Sequence, residues 1–241
     1  MKKILMVLVV CLIFAPYLQA DPFEDFKTHI KSSLLKPFTE DFGGLVGAND
    51  FNTGRTVSFP GFDVSLGGVV QFEPNDDNLV LKNAGVDTFG IAMAQGSIGI
   101  PVAGIDAVLR GTSIMGLNII GGGVRYSFHR SGLAKFIPDV MLSAFYDTIS
   151  YDYFEGSHYS FDVSASFDLP IIKPYAGIGY DRTKLEIKDV SALLNGVDAS
   201  VGKMRFTVGT RLTPFPFLYL YGAYSLLHSN NAAQFGVGIN F

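Results

Sequence analysis

Tyr159–Leu169, with the sequence YSFDVSASFDL, alternates strictly between apolar and polar residues over eleven positions. A period of two is typical of a β-strand with one apolar and one polar face. A strand of a soluble protein has about 5–6 residues, whereas a tilted strand that crosses a bilayer needs about 9–11. The length and the alternation together predict a membrane-spanning strand.

Other stretches between Gly61 and Phe241 repeat the alternation less strictly, and glycine, asparagine and proline clusters separate them. One transmembrane strand with its turn takes about 16–18 residues, so this region predicts about ten strands, with a range of eight to twelve. The fold class is therefore all-β, a closed antiparallel transmembrane β-barrel. Asp87–Ile100 and Phe215–Leu227 are apolar on both faces, which leaves their registers open.

The last residues, Gln234–Phe241 (QFGVGINF), alternate to the end and finish on an aromatic ring. This pattern resembles the closing-strand signal that the assembly machinery of bacterial outer-membrane barrels reads. The resemblance implies the barrel-assembly machinery and outer-membrane lipid as partners. It assigns the assembly signal to four residues: Phe235, Val237, Ile239 and Phe241.

Composition supports a barrel over other membrane folds. The 241 residues are 48% hydrophobic and only 17% charged, against about 25% charged in an average soluble domain, and the mean hydropathy is +0.30. Beyond the first twenty residues no apolar run approaches the roughly 20 that a spanning helix needs. A secreted β-sandwich or lipocalin-like barrel is the soluble alternative, but strand length, Phe241 and the scarcity of charge favour the membrane.

The same numbers exclude several classes of protein. A net charge of −4 argues against a nucleic-acid partner, and a single cysteine argues against a disulfide scaffold. Met1–Ala20 predicts a secretory signal peptide that is cleaved near Ala20. The alternative, a lipoprotein modified at Cys11, is disfavoured because Val10 replaces the small residue that such a motif needs. The predicted location is the bacterial outer membrane.

Residues 21–60 precede the barrel domain, which is predicted as 61–241. Asp21–Lys36 has apolar residues at helical spacing and predicts an amphipathic helix that Pro37 ends. Phe42–Pro60 is rich in glycine, asparagine and threonine and predicts an irregular connection. The helix would plug the lumen, cap the periplasmic mouth, rest on the lipid interface or only pack against the barrel.

Polar residues of the alternating stretches fall on one strand face and are predicted to line the lumen. The charged members of this set are either paired across a filled interior or line a polar path that sets its selectivity. They are Asp63, Asp106, Arg110, Arg125, Asp162, Asp168, Asp181, Lys203, Arg205 and Arg211.

Catalytic chemistry has little support in the sequence. His158 and Ser160 lie on one face of a strand, which invites comparison with outer-membrane lipid-modifying enzymes, but no orienting third group can be named. The four histidines have no metal-ligand spacing with carboxylates. No glycine-rich loop precedes a helix to hold a phosphate. No enzyme activity, cofactor or metal is therefore predicted.

Several short motifs resemble an uncharacterised family of bacterial outer-membrane barrels, found largely in the Bacteroidota and loosely similar to fatty-acid transporter (FadL-type) barrels. The motifs are Leu35–Phe38, the glycine-rich Phe42–Gly47, Asn52–Thr53, Gly61–Val64, Ala107–Arg110, Gly121–Tyr126 and Ile137–Val140. The FadL-type barrels carry an amino-terminal segment inside the lumen. The resemblance implies a fold and a location, and assigns no catalytic or binding residues.

The predicted function is passive transport or a structural role in the envelope, with a small or hydrophobic solute as a candidate partner. A non-transporting adhesin or scaffold barrel is the alternative, based on Lys184–Gly202 as the longest predicted loop. An outer-membrane enzyme is the third hypothesis.

Overall fold

The computed structural model describes residues 23, 25–57, 59–102, 104–129 and 137–241. Ten antiparallel strands form a closed barrel in which each strand pairs with its sequence neighbours and β1 pairs with β10. This confirms the predicted fold class and strand number. The strands are β1 Phe62–Gln71, β2 Phe89–Gly99, β3 Ile105–Ile114, β4 Leu117–His129, β5 Asp139–Ser150, β6 Phe154–Ser166, β7 Ile172–Ile187, β8 Asp198–Phe215, β9 Leu218–Leu227 and β10 Asn230–Asn240.

The two ends of the barrel differ in their connections. The closing end holds the start of β1 and the end of β10, where Phe62 and Phe241 exchange backbone hydrogen bonds of 3.0 and 2.8 Å. Its connections are 100–104, 130–138, 167–171 and 216–217. The loop end holds the connections 72–88, 115–116, 151–153, 188–197 and 228–229.

Side chains alternate between the two faces of the wall as a barrel requires. Along β6, for example, Phe161 and Val163 are exposed on the outside, whereas Asp162 and Ser164 are buried inside. Outward residues elsewhere are also mostly apolar, among them Phe62, Val64, Leu66, Ile98, Leu109, Ile120, Val124, Leu142, Ile178, Phe206 and Val208. The barrel therefore presents an apolar exterior, and its buried polar and charged side chains lie inside.

The described residues include no helix with the length and hydropathy that crossing a membrane demands.

The amino-terminal helices differ from the prediction. Instead of one helix ending at Pro37, a short helix α1 (Phe26–His29) and a 3-10 turn (Ser32–Leu34) lead into α2 (Leu35–Gly47). Pro37 is tolerated because it lies in the first turn of α2, where a backbone N–H has no partner within the helix. The predicted irregular stretch Phe42–Pro60 therefore begins with a helix and is irregular only after it. The predicted signal peptide and cleavage site lie outside the described residues.

Residues 23 and 25–57, called the lumen segment here, run through the inside of the barrel. α1 packs against α3 (Leu79–Asn83), a helix in the connection 72–88 at the loop end. α2 then packs against the inner faces of β7 and β8. The chain continues past mid-barrel to the closing end, where β1 begins.

The predicted long loop Lys184–Gly202 is shorter than expected. β7 continues to Ile187 and β8 already begins at Asp198, so the two strands form a ladder that extends to the pair Glu186 and Asp198. The connection 72–88, which contains α3, is longer than 188–197.

Candidate functional site: a lumen filled by the chain's own amino-terminal segment

The loop half of the lumen is apolar and aromatic. Phe23, Phe26, Phe38 and Phe42 of the lumen segment surround Phe154 of β6, with ring centroids 5.1–6.0 Å from it. All five side chains are at most 3% exposed. Inward side chains of the wall complete the cluster, including Val69, Phe89, Ile91, Leu117, Ile119, Ile149, Leu185, Ile187 and Leu227. The burial of this apolar surface holds the start of the lumen segment against the wall.

Glycines bring α2 close to the wall. A β-carbon at Gly43 would collide with the Thr183 hydroxyl, and one at Gly47 would collide with the Asp181 carboxylate. At Gly44 the β-carbon would lie 3.0 Å from the Leu227 side chain. Glycine normally weakens a helix by about 1 kcal/mol, so packing against the wall outweighs local helix preference here.

Asp50 joins opposite walls at the middle of the lumen. One of its carboxylate oxygens accepts a hydrogen bond from Arg110 of β3, and the other accepts one of 2.7 Å from Arg205 of β8. These strands stand five places apart in either direction around the ring of ten. Both guanidinium groups and the Asp50 carboxylate are at most 1% exposed. Three residues thus cross the whole width of the barrel.

Each arginine also forms ion pairs with aspartates on its own side of the barrel wall. Arg110 donates to both oxygens of Asp147, at 2.8 and 2.6 Å. Arg205 donates to Asp162 at 2.7 Å and to Asp181 at 3.1 Å. Charge-assisted bonds of this kind are about twice as strong as neutral ones.

Two glycines make room for these ion pairs. Gly121 lies between Arg110 and Asp147 in the strand ladder, and a β-carbon there would collide with Asp147. Gly179 lies between Asp162 and Arg205, and a β-carbon there would come within 2.6 Å of Arg205. The same arrangement, arginine and aspartate meeting over a glycine of the strand between them, therefore occurs on both sides of Asp50.

His228, in the turn between β9 and β10, connects α2 to these ion pairs. Its Nδ1 lies 2.8 Å from the backbone carbonyl oxygen of Glu40, and its Nε2 lies 2.9 Å from a carboxylate oxygen of Asp181. The Glu40 side chain in turn pairs with Lys203 at 3.1 Å.

Beyond Asp50 the wall holds the backbone of the lumen segment. Ser166 and Ser127 accept hydrogen bonds from the N–H groups of Gly54 and Thr56, at 3.0 and 2.8 Å. Asp106 accepts one of 2.8 Å from the N–H of Val57. An extended chain has no internal partners for these groups, so the wall side chains satisfy them instead.

Near the closing end the lumen widens into a vestibule, a cavity of about 500 Å³ that is lined mainly by polar and charged side chains. Arg55 pairs with Asp139 at 3.2 Å and with Asp168, which also pairs with Lys173 at 2.5 Å. Burial acts to raise the pKa of Asp168, but hydrogen bonding and the charges of Lys173 and Arg55 outweigh it and hold that pKa below its usual value.

The residues predicted to line the lumen are distributed along its whole length. Arg110, Asp162, Asp181 and Arg205 belong to the group of ion pairs around Asp50, which also includes Asp147 and is called the central network here. Lys203 lies towards the loop end of β8 and contacts Glu40. The others lie towards the closing end: Arg125 is paired with Asp106 at 2.8 Å, Arg211 with Asp63 at 3.5 Å, and Asp168 with Arg55 and Lys173.

Sequence patterns missed Asp50, Asp147 and His228. Asp50 lies in an irregular stretch with no periodicity, and His228 lies in a turn. Asp147 lies on the inward face of β5. That face carries Met141 and Phe145 as well as polar residues, so apolar and polar residues do not alternate along this strand. For Asp147 alone a signal was present, because it stands two residues from the inward residue Phe145 in a strand-length stretch.

The contacts of His158 and Ser160 do not support the catalytic hypothesis. His158 bonds to the Thr183 hydroxyl at 2.8 Å rather than to Ser160. His158 and Ser160 are both 0% exposed. Among the described residues no cluster of histidine, cysteine, aspartate and glutamate has the arrangement of a metal site.

The four residues of the predicted assembly signal run from the middle of β10, at Phe235, to the closing end, at Phe241. Phe235, Val237 and Ile239 alternate with buried inward residues along β10. Phe241 stacks on Phe62 and on Phe217, with ring centroids 4.9 Å apart in both cases.

Comparison with known proteins adds a family and a set of similar barrels. Residues 79–241 match the model of a family of unknown function (DUF6588). No curated protein matches the chain.

The similar solved structures include three outer-membrane proteins. The amino-terminal β-barrel domain of Pseudomonas aeruginosa OprF is 13% identical, over 77% of this chain and 100% of that one, with a TM-score of 0.38. The Acinetobacter baumannii outer membrane protein Omp33 is 9% identical, over 78% and 100%, with a TM-score of 0.35. Ail, the attachment invasion locus protein of Yersinia pestis, is 13% identical, over 76% and 100%, with a TM-score of 0.31. Similarity at this level carries no argument about function.

Proposed function

The chain belongs to the DUF6588 family of unknown function, and we propose that it is a bacterial outer-membrane β-barrel sealed by its own amino-terminal segment, with a structural role in the envelope. The lumen segment acts as the plug of a barrel that passes no solute in this conformation. The signal peptide with cleavage near Ala20, and the reading of Phe235–Phe241 by the assembly machinery, belong to the same proposal.

The apolar exterior supports a place in the membrane. Large outward side chains such as Phe161, Phe206 and Val208 are 49–61% exposed in the isolated chain. Exposure of such a surface to water is unfavourable, whereas in a bilayer these side chains contact the hydrocarbon chains of the lipid. Because the barrel is closed, no strand edge leaves backbone groups without partners in the hydrocarbon region.

The bridge from Arg110 through Asp50 to Arg205 carries the proposal that the lumen is sealed. Removal of the segment would leave two guanidinium groups without one of their buried carboxylate partners. Its departure would also expose the buried rings of Phe38 and Phe42 to water, which is unfavourable. The open form is therefore rare unless another force compensates.

The space around the segment supports the same proposal. Between the lumen segment and the inner faces of β1, β2 and β9, the structure leaves a cavity of only about 10 Å³, lined by Asn49, Phe51, Ser65, Gln95 and Tyr221 among others. That volume holds about one water molecule. The small size of this cavity supports a lumen that is closed on this side of the segment.

Conductance in planar bilayers tests the sealed barrel. The unmodified protein, reconstituted in lipid, is expected to show no steady conductance over a range of voltage and salt concentration. A membrane that becomes steadily conductive on insertion of the protein would contradict the proposal. Heat-modifiable migration on a gel should establish in the same sample that the barrel is folded.

A gated channel is the second candidate, and the polar inner wall favours it. Where the segment meets β1, β4 and β6, the wall presents Ser65, Ser127 and Ser164, which would also face water if the segment moved. The vestibule at the closing end is the part of this route that is already open. A small polar solute fits such a lining better than a hydrophobic one.

The variant Asp50→Asn separates the two candidates. It keeps the shape of residue 50 and removes the charge that Arg110 and Arg205 share. A gated channel should then show openings that the unmodified protein lacks, whereas a structural barrel should stay closed. Asp77→Asn, at an exposed position of the connection 72–88, is the matched control.

A further inference from the structure

The lumen segment runs from one end of the barrel to the other. Phe23 contacts the rings of Tyr151 and Phe154 at the loop end, with centroids 5.9 and 6.0 Å apart. Lys27 lies over the ring of Tyr153, in the same connection, at 5.3 Å. Phe62, where β1 begins, stacks against Phe241 at the closing end.

The points between these ends follow one direction. Asp50 lies in the central network, and Thr53 to Val57 contact wall residues towards the closing end, among them Ser166 and Asp106. Phe167 and Ile105 mark that same end, next to the connections 167–171 and 100–104. The segment is therefore threaded once through the lumen, without a turn back.

The connections indicate which end faces the cell exterior. In outer-membrane barrels the periplasmic turns are short and the extracellular loops are longer. The longest connection, 72–88, lies at the loop end and carries its own helix. The end of the closing strand lies at the other end.

We propose that α1 and Lys31, at the amino-terminal end of the lumen segment, lie at the extracellular mouth of the barrel, while Phe241 lies at the periplasmic edge. This inference rests on the proposed outer-membrane function. It makes α1 and the neighbouring α3 a surface that molecules outside the cell reach. It also means that the segment crosses the plane of the membrane inside the barrel.

Thiol labelling of intact cells tests this arrangement. Cys11 is the only cysteine in the sequence, so the unmodified chain gives the background and single replacements can be read separately. Lys31→Cys places the label on the exposed end of the segment, Leu193→Cys on the connection 188–197 and Val102→Cys on the turn 100–104. Leu193 is 91% and Val102 57% exposed.

A membrane-impermeant maleimide should label Lys31→Cys and Leu193→Cys on intact cells to the same extent. Val102→Cys should be labelled only after the outer membrane is permeabilised. Labelling of Lys31→Cys together with Val102→Cys, and not with Leu193→Cys, would overturn the threaded arrangement.

Two further outcomes separate this inference from the proposed function. Labelling of Val102→Cys alone on intact cells, with the protein in the outer-membrane fraction, would overturn the orientation and leave the sealed barrel intact. Absence of the protein from the outer-membrane fraction would overturn the proposed function, and with it this inference.

Discussion

The two halves of the lumen hold the same segment by different means. In the loop half, Phe38 and Phe42 of α2 pack among apolar side chains of the wall. In the closing half, the segment is irregular, and its backbone and Arg55 bond to serine and aspartate side chains of the wall. Asp50 and its two arginines lie between the halves.

The difference shows where sequence changes matter most. Apolar contacts are not directional, so the loop half should accept other apolar residues of similar size. Ion pairs and hydrogen bonds in a buried site need every partner, because a group left alone keeps its full desolvation cost. The central network should therefore be the most sensitive part of the molecule, followed by the aromatic cluster and then the half-exposed vestibule.

The largest effect is expected for Arg205→Met. It leaves Asp50, Asp162 and Asp181 buried without their shared cation, at a cost of about 3–5 kcal/mol in the free energy of unfolding. Urea titration in lipid, followed by heat-modifiable migration, measures this change. Lys184→Met, which removes an exposed pair of 3.4 Å with Asp198, is the control and should cost less than about 1 kcal/mol.

Gly179→Ala should have the next largest effect. The added methyl group meets Asp162 and Arg205 where they are already bonded to each other, and overpacking of this kind costs about 1–3 kcal/mol. Gly96→Ala is the matched control, because nothing lies within 4 Å of a β-carbon there. Equal urea midpoints for the two variants would show that the network has room to shift.

Phe154→Leu probes the apolar half. Replacement of the ring that four other phenylalanines contact by a similar apolar side chain is expected to cost about 1.5 kcal/mol or less. Phe161→Leu changes an outward ring of the same strand, 61% exposed, and should leave the urea midpoint nearly unchanged. A loss for Phe154→Leu as large as that for Arg205→Met would remove the distinction between the halves.

The smallest effect is a pH dependence at the vestibule. The pKa of Asp168 is lowered in the folded protein, so its pairs with Lys173 and Arg55 are fully formed above the ordinary carboxyl pKa of about 3.9. Their contribution is lost as the pH falls through the lower folded value. Asp168→Asn should therefore reduce the loss of stability between neutral and acidic pH, which parallel urea titrations at the two pH values measure. An unchanged pH dependence would show that the pairs contribute nothing.

Sequence patterns predicted the strands of the barrel wall better than the lumen segment inside it. Alternation in Tyr159–Leu169 is visible because outward residues meet lipid and inward ones are polar, so ten strands followed from period and length. In Asp87–Ile100 the inward residues Phe89, Ile91 and Met93 are also apolar, because they face the aromatic cluster. The sequence left the register of this strand undetermined because its inward side chains contact the lumen segment, which is distant in sequence.

The helix α2, which the sequence patterns placed too early in the chain, escaped prediction for a related reason. Gly43, Gly44 and Gly47 argue against a helix locally, and only the nearby wall makes them suitable. Asp50 has no neighbour in sequence that indicates its role, since its partners Arg110 and Arg205 come from strands on opposite sides of the barrel. Local patterns carry no information about such distant pairs.

A cross-link between the segment and the wall tests the central claim most directly. The hydroxyl groups of Thr56 and Ser127 lie 3.1 Å apart, so the double variant Thr56→Cys and Ser127→Cys should form a disulfide on mild oxidation in native outer membranes. The account predicts that nearly all folded protein shifts its migration on a non-reducing gel, whereas either single variant does not. Folded double variant that stays uncross-linked, with both thiols still reactive, would contradict a lumen sealed by its own segment.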